Sequence, residues 1–272
     1  MHKLIQPGRI IFATGIIALG VLQFFARDYV LGRPPVLTWP AWAAAMPGKL
    51  AWAYLSGSLV IIAGLAVIFN KKAGLAAIFI GVMFLVYSFL FRHLPAMADW
   101  INSYKTLALG GGAFIVAVSF LKKEGSNSGN SFTNNDLILT ACIFFSLFFI
   151  ICGIAHFKFD EFIYKDFIPA YIPARPFWTY LTAVALIAGG VGIIFTATRK
   201  WAAALSGLMI LLWFILLHIP RTVKVLNDAD PSNDLSDWIG VCESFTFSGI
   251  LFVLAGLSAM KKSLNPAGNQ NL

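Results

Sequence analysis

WTYLTAVALIAGGVGIIF, residues 178–195, runs for eighteen positions without a charge. A bilayer core of about 30 Å takes roughly 20 apolar residues to cross as a helix. Backbone N–H and C=O groups left unpaired in hydrocarbon are costly, so a run of this kind is a helix. The same text appears once before. WAYLSGSLVIIAGLAVIF at 52–69 lies over it at an offset of 126, with Trp52, Tyr54, Leu55, Gly64 and Phe69 meeting identical residues.

Working outward, the agreement continues in order along the chain. GVLQF at 20–24 resembles GIAHF at 153–157, HLP at 93–95 returns as HIP at 218–220, and DWI at 99–101 as DWI at 237–239. SFLKK at 119–123 resembles SAMKK at 258–262. Ordered agreement of this kind marks an internal duplication. Eight apolar runs are readable, near 9–26, 51–69, 73–91, 104–121, 137–156, 178–195, 201–219 and 241–260, with the fourth weakened by Gly110, Gly111 and Gly112. The expected fold is an all-α membrane protein of eight transmembrane helices, arranged as two four-helix repeats. An even number of crossings per copy makes the repeats parallel. The expected units are 1–123 and 136–262, joined by a Gly/Ser/Asn linker at 124–135 and followed by a polar tail at 263–272.

Composition agrees with lipid as the solvent: 59% of residues are hydrophobic and 12% charged, against about a quarter charged in soluble domains. The net charge of +8 comes from residues that bracket the apolar runs, such as Lys71–Lys72, Lys122–Lys123, Arg199–Lys200 and Lys261–Lys262. Anionic headgroups are their natural partner, and nucleic acid is not. Placing the N-terminus inside puts ten basic residues on each face. The inner loops are short, so basic density favours both termini inside. The first run matches a later internal helix and lacks a small-residue cleavage site, so it reads as part of the mature protein.

The matched polar and aromatic residues collect at the outer ends of the helices: Gln23 and His156, Trp52 with Tyr54, Trp178 with Tyr180, His93 and His218, and Asp99 and Asp237. In one reading His93 and His218 face one another, to ligate haem or hydrogen-bond a quinone carbonyl. In the plainer one, each ends a helix before the proline that stops it. His156 has a glutamine as its counterpart, so a four-histidine site is excluded. Asp99 pairs with Arg92 and Asp237 with Arg221 around a polar pocket, or each Asp opens a helix beside an interfacial Trp. Five residues beyond each Trp, the copies carry Lys105 and Glu243. They either pair across the pseudo-twofold axis or snorkel separately to water. Within 160–168, Glu161 and Lys165 share one helical stripe and Ile163 and Phe167 another, which suits a short interfacial helix stopped by Pro169. Cys142 and Cys152 lie about 15 Å apart along one helix, too far for a disulfide. No zinc motif, thiol-redox motif, nucleotide loop or nucleophile triad is readable, so a self-contained catalyst is not expected.

GIAHF, FIPAYIPARPFW, the Gly-rich helix, the basic turn and HIP together resemble the DoxX family of bacterial membrane proteins. Members are typically one four-helix unit, so this chain resembles a tandem of two, over roughly 9–123 and 136–262. The carboxylate that many members carry in a G-x-x-E context of the second helix is replaced here by Val60 and Leu186. The resemblance implies a bacterial cytoplasmic membrane and a link to membrane redox systems, some of them quinone-using. The function expected is therefore an accessory subunit with a redox protein partner and a quinone or haem as its candidate cofactor. A non-enzymatic scaffold and a small-molecule transporter are the alternatives.

Overall fold

A chain this apolar satisfies its backbone locally, and every regular element among the described residues is helical. The computed structural model describes residues 1–30, 45–89, 100–121, 134–227 and 234–264. Within them run α1 (Ile5–Ala26), α2 (Lys49–Ile68), α3 (Ala73–Tyr87), α4 (Trp100–Leu121), α5 (Asn134–Lys158), α6 (Arg175–Ile194), α7 (Thr196–Trp213), α8 (Ile219–Asn227) and α9 (Asp234–Leu264). Six helical stretches are long and apolar enough to cross a membrane: His2–Ala26, Lys49–Ile68, Asn135–Lys158, Arg175–Ile194, Thr196–Val223 and Asp237–Met260. Two shorter apolar helices, Ala73–Tyr87 and Tyr104–Phe120, accompany them. Most helices begin or end within a few residues of the apolar runs. The glycines at 110–112 do not interrupt α4.

Large apolar side chains lie on both faces, with Phe12, Phe84, Phe145 and Phe149 fully buried. Large residues such as Ile62, Val82, Val184 and Leu205 are exposed, and small ones such as Ala13, Ala53, Ala77 and Ala203 are buried. Hydrocarbon gives helices no hydrophobic reason to associate, so close backbone approach through small residues takes its place. The contact of α1 with α9 is the clearest case: a Cβ on Gly8 would stand 2.7 Å from the Gly249 carbonyl oxygen. The contact of α3 with α4 is similar, with a Cβ on Gly81 3.0 Å from the Gly110 carbonyl.

The packing order is specific. α1 lies against α2 and α9, α4 against α3 and α5, α6 against α5 and α7, and α9 against α7. α4 and α9 also touch one another at the centre, where a Cβ on Gly112 would press into the Ile250 side chain. Phe145 and Phe149 of α5 pack edge-on at 5.9 Å, and Phe145 meets Phe247 of α9 at 5.6 Å.

The turns show how helix ends are satisfied in so little space. α6 stops at Phe195, which is extended (φ −79, ψ 125), and α7 starts at the next residue. The last carbonyls of α6 then need donors. Arg199, buried, donates through Nε to the Ile193 carbonyl at 2.7 Å and through Nη2 to that of Ile194 at 2.7 Å. Thr198 Oγ1 donates to the Gly192 carbonyl at 2.8 Å. At the same end of the molecule Arg9 donates to the Ser119 hydroxyl and carbonyl and lies 3.7 Å over the Phe120 ring. The start of the chain is thereby tied to the end of α4.

Candidate functional site

Prolines decide the local geometry of the site. Pro220 has no N–H to give the Leu216 carbonyl four residues back, and its ring crowds that turn. The chain responds by widening: Phe214–His218 forms a π-turn, closed by the Ile219 N–H on the Phe214 carbonyl. The abandoned Leu216 carbonyl accepts a hydrogen bond from the Tyr171 hydroxyl. Tyr171 belongs to the segment between α5 and α6, so the defect in one helix becomes an anchor for that segment. π-turns of this kind recur at functional sites.

The segment itself is built the same way. After a single α-turn at Asp160–Phe162 the chain widens into a π-turn over Ile163–Phe167, with the Ile168 N–H reaching the Ile163 carbonyl at 2.9 Å. Ile168 is extended (φ −79, ψ 122) because it precedes Pro169. The spacing of Glu161, Ile163, Lys165 and Phe167 suits an α-helix here. The structure keeps the Lys165–Glu161 ion pair at 3.2 Å, but the second turn opens to π as the chain prepares to leave the helix.

Beneath this segment, between α5, α6, α7 and α9, lies a cavity of about 760 Å³. That volume is in the range of small-molecule sites. Phe148, Phe149, Leu186, Met209, Leu212 and Phe247 form most of its hydrocarbon wall, and Ile163, Phe167 and Ile172 its cover. Its polar groups are few: His156, His218, Cys152, Thr182, Ser244, Glu243 and, from α4, Lys105.

Four of the residues singled out in the sequence thus meet on one cavity. Lys105 Nζ stands 2.7 Å from Glu243 Oε2. His218 makes an edge-on contact with Phe167 at 5.8 Å, and its side chain has no hydrogen bond among the described residues. His156 Nδ1 lies 2.7 Å from the Cys152 carbonyl, while its ring stacks on Trp213 at 6.1 Å. The counterpart of His156 in the repeat is Gln23, so the sequence offers no reason to group it with His218; the cavity, which both line, does.

Arg221 and Asp237 sit just behind the cover. Arg221 Nε is 2.7 Å from Asp237 Oδ1, its Nη1 donates to the Asp166 carbonyl, and its guanidinium carbon lies 4.7 Å from the Phe167 ring centre. One arginine therefore ties α8, α9 and the covering segment together. Tyr180 lies outside the cavity, with its hydroxyl on Asp160 Oδ2 at 2.5 Å. The Asp160 carboxyl is held below the usual carboxylate range, first by that hydroxyl and then by the Glu161 N–H. Tyr54 stacks on Phe24 at 5.0 Å. His93, Arg92 and Asp99 lie outside the described residues, as do 31–44 of the first long connection and most of the linker.

The first half of the chain differs at the corresponding place. Gln23, fully buried, accepts a hydrogen bond from Ser56 Oγ at 2.7 Å, and Tyr29, Val30 and Tyr87 are buried close by. Tyr29 and Tyr87 stand 6.0 Å apart.

Among the described residues no group of three His, Cys, Asp or Glu side chains is placed to hold a metal ion. The three cysteines are free. What the fold and site define is a helical, multi-pass membrane protein with, among the described residues, a mainly apolar cavity under a proline-shaped cover. A family described as a domain of unknown function (DUF8561) matches residues 145–238, the part that supplies most of the cavity wall. No curated protein and no solved structure matches the chain.

Proposed function

We propose that this chain is a receptor subunit for an apolar small molecule, serving a quinone-linked redox system of the bacterial cytoplasmic membrane. The observation that carries it is the cavity: hydrocarbon walls, two histidines and one ion pair, covered on one side by a segment anchored through Tyr171 and Arg221. Most of its lining is apolar with a few placed polar groups, the usual make-up of a ligand site. Cys152 Sγ lies 4.0 Å from His156 Nδ1, but the ring nitrogen is closer to the Cys152 carbonyl, at 2.7 Å, and in this reading the protein binds and presents its ligand.

The architecture belonging to this reading is a tandem of two parallel DoxX-like units that crosses the bilayer eight times, with both termini inside. In its favour, α4 spans 22 residues, about 33 Å at the helical rise. The packing order also repeats: the first helix of each half lies on its own second helix and on the last helix of the other half. In this reading the second unit binds, and the first supports it and lends Lys105.

The test is an absorption spectrum of the detergent-purified protein, oxidised and then dithionite-reduced, with solvent extraction of bound quinone. Stoichiometric quinone that is lost in His218→Ala, or in a variant that fills the cavity such as Ala185→Trp, supports the receptor. A well-folded, quinone-free protein from quinone-replete membranes would sink the quinone assignment.

A further inference from the structure

We infer that the cavity selects a neutral lipid whose polar head carries a hydroxyl, and that His156 Nε2 receives that hydroxyl's proton in a hydrogen bond. This rests on the receptor reading above and names the chemistry of the ligand's head.

Lys105 and Glu243 are the cavity's only ionic groups, and at 2.7 Å they neutralise one another. An anionic head would meet the Glu243 carboxylate, and a cationic one the Lys105 ammonium. Either would have to break the pair and leave one partner uncompensated in apolar surroundings, which is expensive. A neutral head leaves the pair intact.

The remaining polar groups then set donor against acceptor. Thr182 Oγ1 is within reach of the Trp178 and Thr179 carbonyls, at 2.7 and 3.0 Å, and Ser244 Oγ donates to the Val241 carbonyl at 3.0 Å. Both hydroxyl protons are used within their own helices. His156 differs. Its Nδ1 faces the Cys152 carbonyl at 2.7 Å, and a carbonyl only accepts, so the ring proton sits on Nδ1. Nε2 is left as a lone-pair acceptor with no partner among the described residues, on a ring that lines the cavity. The Trp213 stack, 18° from parallel, fixes the ring plane. A hydroxyl serves this acceptor, which an ether or ester oxygen leaves unpaired; His218, whose ring has no hydrogen-bond partner among the described residues, can donate to either oxygen, so the hydroxyl keeps one bond more. The hydrocarbon wall takes the rest of the molecule.

Aliphatic isoprenoid alcohols and alkyl hydroquinones share this head chemistry, and the experiment separates them. The full-length protein in lipid nanodiscs is offered equimolar pairs, and native mass spectrometry reads the bound ratio. One arm pairs a C15 isoprenoid alcohol with its methyl ether, a second an alkyl hydroquinone with its dimethyl ether, a third the alcohol with the matching carboxylic acid. One net hydrogen bond corresponds to roughly three- to tenfold in affinity. The wild type is expected to prefer hydroxyl over ether by about that factor in at least one of the first two arms, and that arm names the source. The preference is expected to fall to about one in His156→Leu and to persist in His156→Gln, whose amide oxygen also accepts. The bound ratio is internal to each sample, so a loss of folded protein does not mimic the result. A ratio near one in the wild type, an unchanged ratio in His156→Leu, or a win for the carboxylic acid overturns the head-group inference alone. Absence of binding by every probe overturns the receptor reading with it.

Discussion

Lys105 and Glu243 stand five residues beyond Trp100 and Trp238, and their side chains meet at 2.7 Å between α4 and α9. Two positions matched in the sequence have diverged to opposite charges and pair at the centre of the bundle. The side chains are 25% and 15% exposed, so removing one partner strands the other where water is scarce. Lys105→Met is expected to cost about 2 kcal/mol, and the reversed pair, Lys105→Glu with Glu243→Lys, to recover most of it. Thermal unfolding in detergent of the single and paired variants reads this directly. Equal losses in the single and reversed forms would mean that packing, not charge, holds the site.

Arg221 gives the covering segment its second anchor through the Asp166 carbonyl and the Phe167 ring, while Asp237 fixes the guanidinium. A planar fork with several donors makes these contacts together, and an ammonium does not. Both Arg221→Gln and Arg221→Lys are expected to speed amide exchange at 163–168 by about tenfold or more, since roughly 1.4 kcal/mol of local stability is at stake per decade. Exchange within 178–194 should stay as it was. Unaltered protection of the segment would show that Tyr171 alone suffices.

Gly8 and Gly249 allow α1 and α9 to touch backbone to backbone. A Cβ on Gly249 would be 2.7 Å from the Gly8 carbonyl oxygen and 3.0 Å from the Ile11 side chain. The carbonyl is fixed by its own helix and cannot step aside, so the helices must separate. Gly249→Ala is expected to destabilise by about 1–3 kcal/mol, the usual range for overpacking. It should also loosen α1, read as faster exchange at 8–16. A neutral effect on melting would mean that the two helices slide freely in detergent.

How much of this was legible beforehand follows from which forces act locally. Helices were readable because hydrocarbon imposes one backbone solution, and a single charge inside a run is conspicuous. The internal repeat singled out Lys105 and Glu243 because a departure stands out against a matched background. The cavity was not readable. It is made by the spacing between α5, α6, α7 and α9, and by side chains such as Met209 and Leu186 that look like any other lipid-soluble residue. The π-turns were half visible: Pro169 ends its turn as expected, but Pro220 does not stop the helix, which runs on through a π-turn to Asn227 while Tyr171 supplies the missing donor. His156 was undervalued for the reason that makes it informative. Its counterpart Gln23 is buried and accepts from Ser56, with its Nε2 left without a partner among the described residues, whereas His156 lines the cavity.

Asp160 offers a prediction in pH. Its Oδ2 accepts the Tyr180 hydroxyl at 2.5 Å and its Oδ1 the Glu161 N–H at 2.8 Å, and these bonds favour the ionised form and lower its pKa. A carboxylate whose folded pKa lies below its unfolded one adds stability above the unfolded value and loses it as pH falls through the folded one. The contribution is therefore confined to the acid side and absent from the pH dependence near neutrality. Tyr180→Phe removes the larger cause, so the Asp160 carboxyl is expected to titrate closer to the ordinary carboxylate range. The acid limb of the stability curve should flatten at the same time. Carbon-detected NMR of labelled aspartate side chains in detergent, wild type against Tyr180→Phe, makes the measurement. If Asp160 titrates alike in both, the Glu161 amide alone holds the carboxylate and the tyrosine is a bystander.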